Sequence, residues 1–172
     1  EEIQQEYLIN GKVGCAVDEF NYGIHAYSML HGLMGPGVSQ VRHLGSAGGQ
    51  RQVELQWTDG RRGLISVGKT SGYLPFYANV VTQKRVDCIQ ADNSKLYRAL
   101  LEAVLPYLAG EAPEPLPMEQ LVEAEMAAIA AKLSEERGGS VVTLSDIPAD
   151  YAGYDGLAFA RSYKGLKYPS AK

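Results

Sequence analysis

The chain has 172 residues, of which 45% are hydrophobic and 21% are charged, and its formal net charge is −4. This length and composition predict one globular domain with its own core, and they exclude a mainly disordered chain. The acidic balance excludes a global basic field for nucleic acid or an anionic membrane, and no apolar run approaches the roughly 20 residues that span a bilayer.

The first part of the chain predicts a helix, a strand and a second helix. Residues 2–9 have the pattern of a short helix, and residues 12–17 have that of a strand. Residues 21–34 predict a longer helix, because Asn21 is a favoured N-cap and a Gly-Pro-Gly segment follows. Apolar side chains at helical spacing predict its buried face, which comprises Ile24, Tyr27, Leu30 and Met34.

The middle of the chain predicts a sheet. Its five strands are expected at residues 38–44, 52–57, 62–70, 73–82 and 85–91. The second strand alternates cleanly, with Val53, Leu55 and Trp57 on one face. The Asp59-Gly60 pair favours a tight hairpin after it. Because short turns join successive strands, we expect a largely antiparallel sheet.

Two further helices and a short strand are predicted after the sheet. The helix at residues 94–109 carries five apolar side chains on one face: Tyr97, Leu100, Leu101, Val104 and Leu108. A proline-rich connector leads to a helix at residues 118–137. Its spacing predicts a core stripe of Val122, Met126, Ile129 and Leu133. Residues 141–144 predict the final strand.

Together these elements predict an α+β fold, a two-layer sandwich in which helices pack on one face of a largely antiparallel, open-faced sheet. We expect this domain to span residues 1–148. Residues 149–172 are expected to form an extended, aromatic-rich tail that packs its tyrosines on this domain or on a neighbouring subunit. Aromatic and basic side chains also occur in nucleic-acid stacking surfaces. This cluster is short and the chain is acidic, so no nucleic-acid partner is expected.

The cysteines and the first residues of the chain indicate the cellular compartment of the protein. Cys15 and Cys88 both lie in apolar, strand-like segments, so we expect two buried, reduced thiols. No Cys or His spacing matches a zinc site, and no metal cofactor is expected. The acidic, polar start lacks the pattern of a signal peptide. These observations predict a cytoplasmic protein with no membrane partner.

His25 is the candidate catalytic residue. The predicted helix places it in the first turn, where the positive end of the helix dipole disfavours an imidazolium and favours a neutral ring. A neutral imidazole can accept the hydroxyl proton that leaves during alcohol oxidation. The alternative is a histidine that only satisfies backbone groups at the start of a helix. His31 and His43 lack this context and are expected to be structural or surface residues.

Two polar residues and one absent motif complete the candidate site. Asn21 lies four residues before His25 and shares the same edge of the predicted helix. Asp18 fits three roles, as a partner of the helix dipole, as an acceptor for a polyol hydroxyl, or as a group that orients His25. The glycine-rich segment at residues 45–49 leads into a strand and not a helix, so it does not predict a dinucleotide site.

Four segments carry a resemblance to a known family. Tyr22-Gly23-Ile24-His25 opens a helix that ends in Leu33-Met34-Gly35. A sheet with a Trp57-Thr58-Asp59-Gly60-Arg61 hairpin follows, and then a long helix that contains Glu123-Ala124-Glu125-Met126. In this order, over roughly residues 12–148, the chain resembles the C-terminal domain of the glucose–fructose oxidoreductase / inositol dehydrogenase (Gfo/Idh/MocA) family.

The resemblance implies an oxidoreductase with a second domain. In that family an N-terminal Rossmann domain binds NAD or NADP, and the C-terminal domain supplies substrate contacts. We expect the Rossmann domain to be absent from this chain, which is then inactive alone. The implied substrate is a sugar, a polyol or a derivative. The exposed sheet face commonly builds dimers or tetramers in the family, which implies a homo-oligomer.

The resemblance also implies roles for individual residues. The family histidine, which acts in proton transfer or substrate binding, corresponds to His25, and Asn21, Tyr22 and Asp18 would orient the substrate. Many family members have an aspartate where this chain has Asn21, and an asparagine cannot take a proton. Asn21 is therefore a substrate ligand or only a helix cap. The alternative function is a non-catalytic binding or assembly module that uses the open sheet face.

Overall fold

The structure is a computed structural model that describes residues 8–15, 22–68 and 74–167. The described strands are β1 Leu8–Cys15, β2 Val38–Ala47, β3 Gln50–Trp57, β4 Arg62–Gly68, β5 Tyr77–Thr82, β6 Val86–Gln90 and β7 Val142–Thr143. The described helices are α1 Ile24–Met34, α2 Leu96–Leu108, α3 Met118–Glu136 and α4 Gly156–Lys167, and a short 3-10 turn spans Leu144–Asp146.

The strands form one sheet in the order β6-β5-β1-β4-β3-β2-β7. The β1–β4 pair is parallel, and the other described pairs are antiparallel. The predicted α+β fold with a largely antiparallel, open-faced sheet is therefore confirmed. Strand β1 lies between β4 and β5 in the sheet, although both strands come much later in the sequence. It runs parallel to β4 and antiparallel to β5.

One face of the sheet forms the core with α1 and α3. The alternation predicted for β3 is confirmed, because Val53, Leu55 and Trp57 are buried while Gln52 and Glu54 on the other face stay partly exposed. Among the described strand residues, the buried apolar side chains larger than alanine are Val13, Val38, Val41, Val53, Leu55, Trp57, Ile65, Val67, Val80 and Val142. Burial of this apolar surface supplies the main driving force for the fold.

Two paired glycines let α1 lie close to the sheet. Gly11 of β1 is the register partner of Gly63 of β4. A Cβ atom on Gly63 would lie 2.7 Å from Leu30 Cδ2, and one on Gly11 would lie 3.2 Å from Leu30 Cδ1. Any larger residue would push Leu30 off the sheet, because interiors are close-packed. The predicted buried face of α1 is confirmed at Tyr27, Leu30 and Met34, and Ile24 is half-buried.

The buried face of α3 differs from the predicted stripe. Val122 is exposed, and Met126 and Ile129 are only partly buried, so of the predicted set only Leu133 is fully inside. Small residues form most of the buried face instead: Ala124, Ala127, Ala128, Ala130, Ala131 and Ser134. The prediction was wrong because α3 packs closely against α1 and β2, and a close approach selects small side chains over large ones.

Three further expectations need correction. Strand β1 already begins at Leu8, so the predicted helix at residues 2–9 is wrong for its last two residues, and its remainder lies outside the described part. Cys88 is exposed on β6 and free, not buried, and the side chain of Cys15 lies outside the described residues. The segment 149–172 is not extended throughout, because α4 forms within it.

Tyr151 shows how the end of the chain begins to dock. It packs against the core, and its hydroxyl donates a hydrogen bond of 2.9 Å to Glu136 Oε2. This contact confirms the predicted packing of tail tyrosines on their own domain for this residue. The boundary at residue 148 stays a prediction. Within the described part of the chain, no helix is long and apolar enough to cross a membrane.

Candidate functional site

His25 lies in the first turn of α1 and is exposed to solvent. Its backbone N–H donates to the Tyr22 carbonyl at 3.0 Å, which closes the turn that begins the helix. Its ring meets Phe76 edge-on at a centroid distance of 5.8 Å, and Tyr22 lies tilted at 6.3 Å. Among the described residues, no side chain forms a hydrogen bond to the imidazole nitrogens.

The helix begins at Ile24, three residues later than the predicted start at residue 21. Gly23 occupies the N-cap position, with no side-chain capping bond, and the predicted cap Asn21 lies outside the described residues. Asp18 lies outside them as well. Tyr22 is described and half-exposed beside His25, so the structure brings together two of the four predicted site residues. The roles assigned to all four remain predictions.

The far end of α1 is fastened by the β3–β4 hairpin. The Trp57 Nε1–H donates to the Gly35 carbonyl at 2.9 Å, and Arg61 Nη1 donates to the Met34 carbonyl at 2.6 Å. Arg61 also lies over the Trp57 ring, 5.9 Å from its centroid. The last carbonyls of a helix have no partner within the helix, and a cation there meets the negative end of the dipole. These bonds fix the axis of α1, and with it the place of His25.

Glu123 of α3 ties the same end of α1 to the sheet. Its carboxylate accepts backbone N–H bonds from Gly37 at 2.8 Å and Val38 at 3.0 Å. Both bonds are to Glu123 Oε1, and the Nε2 atom of buried His31 lies 3.1 Å from that oxygen. The expected structural role of His31 agrees with this contact. The Glu123–His31 pairing was not predicted, since these residues lie 92 positions apart.

Phe76 is a second feature that the sequence did not single out. It lies between residues outside the described part and strand β5, and it meets the His25 ring edge-on. Its carbonyl accepts the backbone N–H of Ala91 at 2.8 Å, which holds the start of β5 against the end of β6. An exposed imidazole with aromatic neighbours can exchange a proton with a hydroxyl group while the apolar side of a polyol packs on the rings.

The glycine-rich segment at residues 45–49 does not open a helix. The glycine-rich segment that ends in Gly48 and Gly49 is the tight turn between β2 and β3, with φ angles of 59° and 78°. It therefore leads into a strand, whereas a pyrophosphate is held at a glycine-rich turn that opens a helix. Within the described segments, no group of three or more His, Cys, Asp or Glu residues is arranged to hold a metal ion.

A cavity of about 170 Å³ lies between α1 and α3 at the other end of α1. Its lining comprises Ser28, His31, Gly32, Gly35, Pro36, Leu116, Gln120, Leu121 and Ala124. His25 is not among the residues that line this cavity. His31 does line it, and its Nε2 atom lies 3.1 Å from Glu123 Oε1. This cavity is therefore separate from the candidate site at His25.

Comparison with known proteins gives structural matches only, since no family model and no curated protein matches the sequence. A probable dehydrogenase from Thermotoga maritima is similar with a TM-score of 0.67 and 17% identity, over 83% of this chain and 58% of that one. The scyllo-inositol dehydrogenase from Lactobacillus casei, solved with NAD(H) and scyllo-inositol, has a TM-score of 0.63 and 12% identity, over 80% and 57% of the two chains.

The WlbA dehydrogenase from Bordetella pertussis, solved with NADH and UDP-GlcNAcA, is also similar, with a TM-score of 0.58 and 16% identity over 86% of this chain and 57% of that one. The chain thus spans somewhat more than half the length of the structures that it matches. Its fold is therefore shared with a part of each of these dehydrogenases that makes up 57–58% of their chains.

Proposed function

We propose that this chain is the substrate-binding domain of an NAD(P)-dependent oxidoreductase that acts on a sugar, a polyol or a derivative. The observation that carries the proposal is the exposed His25 imidazole at the start of α1, with Tyr22 and Phe76 against it. The fold supports it, because two of the matched dehydrogenases were solved with NAD(H) or NADH and with scyllo-inositol or UDP-GlcNAcA.

In the proposed reaction, a carbinol carbon gives up a hydride and its hydroxyl oxygen gives up a proton. When bound, the dinucleotide would supply the hydride acceptor, and in this proposal another domain holds it. His25 takes the hydroxyl proton on an imidazole nitrogen and returns it in the reverse direction. Tyr22, Asn21 and Asp18 hold the other substrate hydroxyls through hydrogen bonds, so the reacting C–O bond stays beside His25.

The test is His25→Ala in the native protein. We expect dinucleotide-dependent turnover of the best substrate in a sugar and polyol panel to fall by about 10²-fold or more, because the proton acceptor is lost. His43→Ala on β2 is the matched control and is expected to keep its turnover, since His43 contacts Glu135 and not the site. Full activity of the His25 variant would exclude the proposed role.

A second candidate is an assembly module, and the open sheet face favours it. The outward-facing side chains of the central strands include Gln52, Glu54 and Leu64, which no described helix buries. A sheet face left uncovered is a surface on which a second copy of the chain can pack. The homo-oligomer that we propose uses this face, and it is compatible with either function. Only a substrate domain gains sugar-dependent protection from hydrogen exchange around His25.

A further inference from the structure

The cavity between α1 and α3 contains a buried histidine in its wall. His31 lines this cavity of about 170 Å³ and is only 7% exposed. Ser28 and Gly32 line it as well, and their spacing of four residues places them on one stripe of α1. Helix α3 supplies the opposite wall, which includes Gln120 and Ala124. A few polar groups in a largely apolar concavity are typical of a small-molecule site.

Glu123 determines which ring nitrogen of His31 is available. Glu123 Oε1 accepts the backbone N–H groups of Gly37 and Val38, and His31 Nε2 lies 3.1 Å from the same oxygen. A carboxylate has no hydrogen to donate, so Nε2 carries the hydrogen of this bond. In the neutral ring, Nδ1 then holds the lone pair and acts as a hydrogen-bond acceptor.

The Nδ1 atom of His31 opens towards the cavity. Its only side-chain partner among the described residues is Glu123, which contacts Nε2. In the described part of the chain, every fully buried side-chain nitrogen or oxygen has a hydrogen-bond partner. Nδ1 has none and is therefore not fully buried, and the space that His31 lines is the cavity. An oriented acceptor, fixed in place by Glu123, is thus offered to a molecule in this space.

The other lining groups favour a neutral molecule with an apolar body. The Ser28 hydroxyl donates to the Ile24 carbonyl at 3.2 Å, so its oxygen remains an acceptor. The Gln120 side chain makes no hydrogen bond within the described segments and can donate or accept. None of the described lining residues is a Lys, Arg, Asp or Glu, so a charged ligand gains no ion pair with them. Apolar side chains supply much of the remaining wall: Pro36, Leu116, Leu121 and Ala124.

We propose that this cavity binds a small, neutral molecule that carries a hydroxyl or N–H donor on an apolar body, with the donor bound to His31 Nδ1. An apolar cavity of about 150 Å³ holds one benzene molecule, so a volume of about 170 Å³ admits a six-membered ring with a polar substituent. This site goes beyond the function proposed above and does not depend on the role of His25.

The test compares phenol with toluene as probes of the native protein labelled with ¹⁵N-histidine. The two molecules have nearly the same shape, and only phenol has an O–H donor. We expect phenol to shift the ¹⁵N resonance of His31 Nδ1 to lower frequency and to bind about fivefold more tightly than toluene, which is the contribution of one hydrogen bond. Apolar contact alone would favour toluene, because phenol must give up hydrogen bonds to water.

Gly32→Leu places a larger side chain at the cavity wall, and Gly32→Ala is the matched control. A Cβ atom on Gly32 meets nothing within 4 Å, and both substitutions favour a helix over glycine, so both variants should fold. We expect the affinity for phenol to fall at least about tenfold in the leucine variant and to change less than about twofold in the alanine variant.

Four results would overturn the proposal. They are toluene binding as tightly as phenol or more tightly, an unmoved Nδ1 resonance at saturating phenol, equal affinities of the two Gly32 variants, and loss of phenol binding in His25→Ala. The last result would place phenol against the rings around His25. Phenol binding that persists in His25→Ala, with turnover undiminished, would support the cavity site and exclude the role proposed for His25.

Discussion

At the scale of single residues, the Glu123 carboxylate joins α3 to the far end of the helix that carries His25. It accepts bonds from the backbone amides of Gly37 and Val38 and faces buried His31. We expect Glu123→Ala to lower the free energy of unfolding by about 2–4 kcal/mol, because two amides and an imidazole lose their partner in a water-poor setting. Urea denaturation followed by circular dichroism measures the loss.

Glu125→Ala is the matched control for that substitution. Glu125 is an exposed glutamate on the same helix, so its removal is expected to cost about 0.5 kcal/mol or less. Equal losses in the two variants would mean that the bonds to Glu123 contribute nothing beyond general helix propensity.

The sequence predicts which side chains of β3 are buried, but it does not predict the contact between Glu123 and His31. Alternation fixes which β3 side chains are buried, since successive residues of a strand point to opposite faces. Nothing local pairs Glu123 with His31, because only the packing of α1 against α3 brings them together. The Asn21 cap was plausible from propensity, yet Gly23 occupies the cap position.

At the scale of elements, the distance of α1 from the sheet depends on Gly63. We expect Gly63→Ala to destabilise the fold by about 1–3 kcal/mol, because the new Cβ would lie 2.7 Å from Leu30 Cδ2 in a filled core. Gly32→Ala in α1 is the control, since its Cβ meets nothing within 4 Å, and a gain of up to about 1 kcal/mol is expected from helix propensity. Thermal unfolding that is equal for both variants would contradict the close approach.

A cluster of ionisable side chains, Lys132, Glu136 and Tyr151, joins α3 to the chain that follows it. Hydrogen bonds from Lys132 and then Tyr151 lower the pKa of Glu136 below its ordinary 4.5. The hydrogen bond to Glu136 raises the pKa of Lys132, and burial is the largest cause of the raised pKa of Tyr151. The charged Glu136 is thus favoured by folding. Its contribution is complete above the unfolded pKa and disappears as pH falls through the folded one.

Glu136→Gln tests this linkage. From about pH 6 down to pH 3, the wild-type free energy of unfolding should fall more steeply than that of the variant, because only the wild type must protonate Glu136. Glu125→Gln, at an exposed position, is expected to follow the wild type. A Glu136→Gln profile parallel to the wild type over this range would show that the cluster does not hold the segment.

For the whole molecule, short strands with tight turns were enough to predict an open antiparallel sheet with helices. The placement of β1 between β4 and β5 was not predictable, because it depends on a crossover and not on a local pattern. The amphipathic pattern of α2 was also visible, but a pattern shows only that a face is apolar and not what covers it. The buried face of α3 was predicted wrongly because we expected large apolar residues in the core, whereas this face consists mostly of alanines.

The open sheet face gives the last prediction. Leu64 lies on the central strand β4, is 37% exposed, and is the register partner of Glu54 on β3. If two copies of the chain associate through this face, Leu64→Asp removes apolar contact area and places a charged group in the contact. We expect the dissociation constant of the homo-oligomer to rise at least about tenfold, equivalent to roughly 1.4 kcal/mol. Sedimentation equilibrium of the 172-residue chain measures it.

Val141→Asp is the control for this substitution, because Val141 is 52% exposed and lies next to the short edge strand β7, away from Leu64. An unchanged constant for Leu64→Asp, with a lower affinity for Val141→Asp, would move the contact from the sheet face to the β7 edge. A wild-type chain that stays monomeric at every concentration would remove self-association altogether.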